Sequence, residues 1–278
     1  ATNVSSPLVS AIVSIDFDHE EYLGHTLAAI AFEKAGVLRP NRTVVVGPMV
    51  AEAERKIREV SRRLHARVLP AFRGVAAVEG SGELSVSTKA ADYPSVRPLP
   101  GAHQRTNLIV AIRTLEALAA AGVDLDLPHA VSAMSQAIWP GRLERVAGRP
   151  PFLLDGAHNP AGARALAAYL KETGEPHILV FGAMRDKHFR EMGETLFPLA
   201  RQVVVTRVRM ARAATTEQLA GVGRASGQDV LEETSIRRAL SKAASLARPG
   251  ETVVVAGSLY LVGAARKILV RARAPLSA

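Results

Sequence analysis

Phe152-Leu153-Leu154-Asp155-Gly156-Ala157-His158-Asn159-Pro160 is the stretch on which the reading of this chain turns. Three apolar residues run into an aspartate, as a short buried strand does when it reaches the edge of its sheet. Asn159 and Pro160 then read as a helix start. Asn is a good N-cap, and Pro at the first helical position gives up an N–H that has no partner there anyway. Asp155 and His158 are therefore expected at the carboxyl edge of a strand, beside a helix N-terminus that attracts anions. An acidic residue in that place can take ribose hydroxyls. A purely structural turn would also explain the aspartate, but it needs no histidine.

Further strands are expected on the C-terminal side at Ile178–Phe181, Gln202–Thr206 and Thr252–Ala256, with helices between them and one after the last. Regular alternation of this kind specifies an α/β domain with a mostly parallel sheet. On the N-terminal side, Leu8–Ile15 and Thr43–Gly47 read as strands flanking a helix from Glu20 to Gly36. Glu52–His65 is a charged amphipathic helix leading to a strand at Ala66–Leu69. From Ala71 to Leu99 short alternating runs with Gly, Ser and Pro suggest small antiparallel strands. Helices are expected at Gln104–Ala121, stopped by Gly122, and at Asp126–Ala137. Pro140-Gly141 and Arg149-Pro150-Pro151 bracket a domain boundary, which gives domains at 1–139 and 140–278.

Composition limits what such a protein can be. A length of 278 residues with 48% hydrophobic and 22% charged residues suits two folded domains and excludes wholesale disorder. There is no Cys, which removes disulfides, a Cys nucleophile, thiolate zinc sites and iron–sulfur clusters. No apolar run approaches the ~18 residues of a membrane span, and no signal segment opens the chain, so a cytoplasmic protein is expected. Lys+Arg outnumber Asp+Glu by 35 to 26, a net charge of +9. The positive residues are scattered, and aromatics are only 4%. That favours small anionic ligands over nucleic acid, whose single strands need stacking platforms.

Five places carry residues with chemistry. Asp16-Phe17-Asp18-His19-Glu20-Glu21 follows a strand; His19 could bind a metal, or the acids could simply complement the next helix N-terminus. Lys34 closes that helix, where a cation is a favourable dipole partner. As a carbamate, its two anionic oxygens could instead hold Mg²⁺. In Gly101-Ala102-His103-Gln104-Arg105-Thr106-Asn107, Asn107 is expected in a first helical turn, to bind an adenine edge or to cap. Arg142, at the domain joint, could clamp a phosphate or form an interdomain ion pair. The Asp155–His158 loop is the fifth. Gly221-Val222-Gly223 lacks the third glycine of a dinucleotide fingerprint, and the strings Gly-x-x-x-x-Gly-Lys-Ser/Thr, Gly-x-Ser-x-Gly and His-Glu-x-x-His are absent.

Taken in order, these motifs resemble the folylpolyglutamate synthase/dihydrofolate synthase family of the Mur-ligase superfamily. The resemblance rests on Ser14–Gly24, Phe32-Glu33-Lys34-Ala35-Gly36, His103-Gln104 with Asn107, Pro140-Gly141-Arg142-Leu143-Glu144 and Asp155–Pro160. It is completed by Phe181-Gly182-Ala183-Met184-Arg185-Asp186-Lys187 and by Gly257-Ser258-Leu259-Tyr260-Leu261-Val262-Gly263. It implies the remainder of a Mur-ligase-type central ATPase domain, followed by a Rossmann-like C-terminal domain. It also implies an ATP-dependent ligase that adds L-glutamate to a folate or dihydropteroate carboxylate through an acyl phosphate. By the same resemblance His19 matches a Mg²⁺ ligand, Lys34 a carbamylated lysine at a second Mg²⁺, and Asn107, Arg142 and Asp155 residues that bind ATP. His158 and Ser258 match positions near the incoming glutamate, and a monomer is implied.

The sequence departs from the family pattern at His188, where Asp is usual, and at Val208-Arg209-Met210, where Pro is common. The larger departure concerns the Gly-rich P-loop and a Mg²⁺-binding glutamate, which family members carry upstream of the position matching Ala1. Ala1-Thr2-Asn3 resembles the end of the family segment that contacts the pterin, so the expectation is a chain that starts inside the ATPase domain and turns over negligibly by itself. The alternatives are another Mur-type amino-acid ligase, or a non-catalytic ligand-binding remnant.

Overall fold

The computed structural model describes residues 2–18 and 20–271. The chain divides into two compact units, Ala1–Ile138 and Trp139–Ala278.

In the first unit β1 (Val9–Ile12), β2 (Thr43–Val46) and β3 (Arg67–Pro70) form a parallel sheet in that order. Alternation along β2 decides what each face buries. Val44 and Val46 join Ile30, Ala31, Ala53 and Ile57, which come from α2 (Leu27–Ala35) and α3 (Ala51–Arg63). Val45 points the other way, onto Val110 and Ala117 of α4 (Ala102–Ala120). The expected strand at Leu8–Ile15 pairs only over Val9–Ile12, because β2 gives way after Val46 to Gly47-Pro48 and proline cannot donate to a ladder.

The single helix expected at Glu20–Gly36 is two. α1 (Glu20–Leu23) stops at Gly24, whose φ of 92° is left-handed, and Thr26 starts α2 afresh by accepting the N–H of Ala29 at 3.1 Å. β4 (Ala76–Gly80), β5 (Glu83–Ser87) and β6 (Asp92–Val96) form the antiparallel sheet read from the sequence. Leu84, Val86, Tyr93 and Val96 bury against α4 and α5 (Leu127–Ala133). The latter is shorter than expected and ends in a single 3₁₀ turn at Met134–Gln136.

The second unit is built on β7 (Glu144–Val146), β8 (Phe152–Leu154), α6 (Pro160–Thr173), β9 (His177–Phe181), α7 (Phe189–Leu196) and β10 (Gln202–Val205). It continues with α8 (Thr216–Ala225), β11 (Val230–Glu232), α9 (Ile236–Leu246), β12 (Thr252–Ala256) and α10 (Leu259–Arg271). The sheet order is β11-β10-β9-β12-β8-β7, with every pairing parallel except that of β7 with β8. The edge strands β7 and β11 escaped the sequence reading because each has three residues and carries charge instead of an apolar run. Successive residues of β9 go to opposite faces. Leu179 and Phe181 bury under α6, α7 and α8, while Ile178 and Val180 bury under α9 and α10.

At the amino edge of this sheet the Glu251 carboxylate, 4% exposed, accepts from Arg201 Nε at 2.6 Å, Arg201 Nη2 at 2.7 Å and Arg248 N at 2.7 Å. Arg201 precedes β10 and Glu251 precedes β12, so the pair spans β9, which lies between those strands. The Arg201 hydrogen bonds hold the Glu251 carboxyl at about 2, below its ordinary 4.5. A carboxylate with a depressed folded pKa stabilises the fold fully above its unfolded pKa and loses that effect as pH falls towards the folded value. Glu251→Gln should therefore cost about 1–3 kcal/mol at neutral pH. The gap to wild type in urea unfolding should close as pH drops from 4.5 to about 2. A gap of constant size across that range would contradict the assignment.

Candidate functional site

Helices α6, α7 and α8 follow β8, β9 and β10 onto one face of the second sheet, whereas α10 follows β12 onto the other. Because β12 lies between β8 and β9, neighbouring strands send the chain in opposite directions beyond their carboxyl ends. Such a reversal opens a crevice, the usual ligand position in a parallel α/β sheet.

The loops at this edge are tied to one another by backbone hydrogen bonds. Gly257 N donates to Ala157 O at 3.0 Å, Gly182 N to Ala256 O at 3.3 Å and Gly156 N to Gly141 O at 2.7 Å. Gly257 has a φ of 108°, and a Cβ there would lie 2.7 Å from the Phe181 ring and 2.8 Å from Gly182 O. Only glycine fits so close an approach.

Asp155 is the junction. It is 7% exposed; Oδ2 accepts from Leu143 N at 3.0 Å and Oδ1 from Ala157 N at 2.9 Å. The carboxylate thus joins the loop before β7 to the loop after β8. His158 is half-buried, with Nδ1 2.8 Å from Gly156 O, an acceptor, so Nδ1 donates to that carbonyl. Asn159 caps α6, accepting from Gly162 N at 2.8 Å, and Pro160 opens the helix as the sequence implied. Ser258, 2% exposed, accepts from Tyr260 N at 3.2 Å at the start of α10. Arg142 sits between Gly141 at φ 72° and Leu143 at φ 47°, and among the described residues its guanidinium makes no ion pair. Glu144 anchors this turn, accepting from Gly141 N at 2.8 Å and from Arg266 Nε at 2.9 and 3.0 Å.

Arg142, Asp155, His158 and Ser258 thus belong to loops gathered at one sheet edge. Lys34 and Asn107 belong to the other unit. Lys34 is exposed in the last turn of α2. Asn107 lies in the second turn of α4, not the first, and donates to Gln104 Oε1 at 2.9 Å; the cap position is Gly101, which excludes a capping role. His19 lies outside the described residues. Among the described residues no group of three or more His, Asp or Glu could hold a metal ion. An unmodified Lys34 is a cation, so these residues do not by themselves complete a Mg²⁺ site.

Sequence reasoning passed over Asp186, Lys187 and Thr206 as site residues. Lys187 is only 6% exposed, rare for a lysine. Asp186 Oδ1 and Thr206 Oγ1 are buried with no hydrogen-bond partner among the described residues, although Asp186 Oδ2 meets Arg212 at 3.1 Å. Buried polar atoms of that kind call for a partner. The signal available was the Phe181–Lys187 motif, which leaves β9 at the same edge.

Residues 141–259 match the family described as Mur ligase, glutamate ligase domain. The dihydrofolate synthase/folylpolyglutamate synthase of Bacillus subtilis is 32% identical over 97% of this chain and 64% of its own length. The enzyme of that description from Mycobacterium tuberculosis is 33% identical over 98% of this chain and 62% of its own. The chain is similar to folylpolyglutamate synthases/dihydrofolate synthases along nearly its whole length. A solved structure of Mycobacterium tuberculosis folylpolyglutamate synthase complexed with ADP superposes with a TM-score of 0.87 at 31% identity, covering 96% of this chain and 64% of that one. E. coli FolC in complex with DHPP and ADP gives a TM-score of 0.86 at 25% identity, covering 98% and 64%. The chain spans under two thirds of the length of these relatives. Among the described residues no helix is long and apolar enough to cross a membrane.

Because both Asp155 oxygens accept backbone N–H groups, an amide cannot replace the carboxylate without setting its NH₂ against a donor. Asp155→Ala should destabilise the protein by about 2–4 kcal/mol, and Asp155→Asn by at least about 1 kcal/mol, at one to three per unsatisfied buried donor. Urea unfolding measures both. An Asn variant as stable as wild type would show that the carboxylate does not hold these loops.

Proposed function

We propose that this chain is the greater part of an ATP-dependent carboxylate–amine ligase that adds L-glutamate to a folate or dihydropteroate carboxylate. The observation that carries the reading is the Asp155–His158 loop, fixed at a sheet-edge crevice in a chain whose relatives are named for this synthesis. Residues 1–139 would be the remainder of the ATP-binding domain and 140–278 the ligase domain.

In the proposed reaction a carboxylate oxygen of the pterin substrate attacks the γ-phosphorus of ATP, and ADP leaves. The glutamate amine, having lost a proton, then attacks the acyl carbon, and phosphate leaves as the amide forms. Asp155 would accept from ribose hydroxyls, and Arg142 would lie against phosphate. Asn107 would meet the adenine. His158 would lie beside the incoming amine, and Ser258, which accepts from Tyr260 N, would have its own proton to donate to the glutamate carboxylate. Mg²⁺ would supply charge neutralisation at the phosphates, with His19 and a carbamylated Lys34 as its proposed ligands. The described residues do not complete that site, so no step is assigned to the metal.

No Gly-x-x-x-x-Gly-Lys-Ser/Thr string occurs in the 278 residues, and we infer negligible turnover from them alone. We take the ligase to be a cytoplasmic monomer without nucleic-acid or membrane partners.

The test is phosphate release by the full-length ligase carrying this sequence, as a function of ATP, L-glutamate and a reduced folate or dihydropteroate. All three dependences are expected. His158→Asn should lower kcat/KM for glutamate on the order of 100-fold while leaving ATP affinity within about threefold. Activity that ignores folates and dihydropteroate would move the assignment to another Mur-type ligase.

A further inference from the structure

The second unit carries a pair of clefts that the proposed reaction does not use. One, of about 390 Å³, is lined by Arg207, Val208, Arg209, Met210, Ala211 and Thr234. The other, of about 370 Å³, shares Val208, Arg209 and Met210 and extends to Arg237, Lys267, Tyr260 and Ile268 on α9 and α10 and the residues before them. Two features set the clefts apart from ordinary basic surface. Four cations, Arg207, Arg209, Arg237 and Lys267, line them, and no carboxylate does. None of the four forms an ion pair among the described residues, although seven other arginines of this unit do, including Arg201, Arg212, Arg238 and Arg266. Unneutralised cations around a concave surface concentrate anions there.

The arrangement also selects among anions. A compact polyphosphate is held by donors converging on one point, typically backbone N–H groups of a glycine-rich turn. Here the cations are spread along two joined clefts, with Met210, Tyr260 and Ile268 between them and no glycine in the lining. That suits a flexible chain bearing separated carboxylates on aliphatic spacers. We propose that these clefts bind the γ-linked oligoglutamate tail of a lengthened product. The inference rests on the ligase reading for its ligand, but the site lies within this unit and needs neither ATP nor turnover.

Calorimetric titration of γ-linked pentaglutamate into the 278-residue protein tests it. Arg209→Ala/Arg237→Ala/Lys267→Ala changes exposed side chains only, and Arg55→Ala/Arg62→Ala/Arg73→Ala removes equal charge from exposed arginines of the other unit. Affinity should fall on the order of tenfold in the first triple variant and stay within about twofold in the second. Circular dichroism confirms that both variants fold. Equal losses in the two variants, no binding to wild type, or tighter binding of tripolyphosphate than of pentaglutamate would each overturn the proposal. Pentaglutamate binding without ATP- and glutamate-dependent ligation in the full-length protein would leave the site standing and remove the reaction. Ligation without pentaglutamate binding would do the reverse.

Discussion

Two hydrogen bonds to one carboxylate organise the functional end of this protein. Asp155 accepts from Leu143 N and from Ala157 N, so the turn that carries Arg142 and the turn that carries His158 are held by the same side chain. Both donors are buried backbone groups that would otherwise go unsatisfied. The carboxylate is thus an architectural group in the folded chain. Such a residue cannot be exchanged for its amide, because both partners in these two bonds are donors.

The sheet beneath makes this junction possible. Insertion of β12 between β8 and β9 sends α10 to the face opposite α6 and α7, and the crevice at the carboxyl edge follows from that topology. Close backbone approach at Gly257 and Gly182 lets the loops meet without side chains between them. At the opposite edge, Arg201 and Glu251 fasten the amino ends of the strands across β9. The crevice therefore rests on a sheet fixed at both ends.

Much of this was legible in the residues because the local signals were strong and agreed. Phe152–Leu154 followed by Asp155, with Asn159-Pro160 opening a helix, could be read as strand, edge and cap, and the structure has those elements. The antiparallel strands between Ala71 and Leu99 followed from turn residues. What escaped had weak or competing signals. Gly24 and Thr26 break a helix whose apolar pattern continues across them, because a left-handed residue and a new cap outweigh periodicity. β7 and β11 take their stability from the neighbouring strand, so three residues with charges among them suffice. The burial of Lys187, Asp186 Oδ1 and Thr206 Oγ1 depends on loops far apart in sequence meeting at one edge, which no local pattern encodes.

The ATP and glutamate of the proposed reaction are expected at the carboxyl-edge crevice after β8 and β12. Backbone amide NMR of the isotopically labelled protein, titrated with a non-hydrolysable ATP analogue and L-glutamate, tests this most directly. The largest shifts are expected at Gly156, Ala157, His158 and Ser258, with Leu143 following through Asp155. Shifts confined to the amino edge near Arg201 and Glu251, or no change at the crevice under saturating ligand, would contradict it.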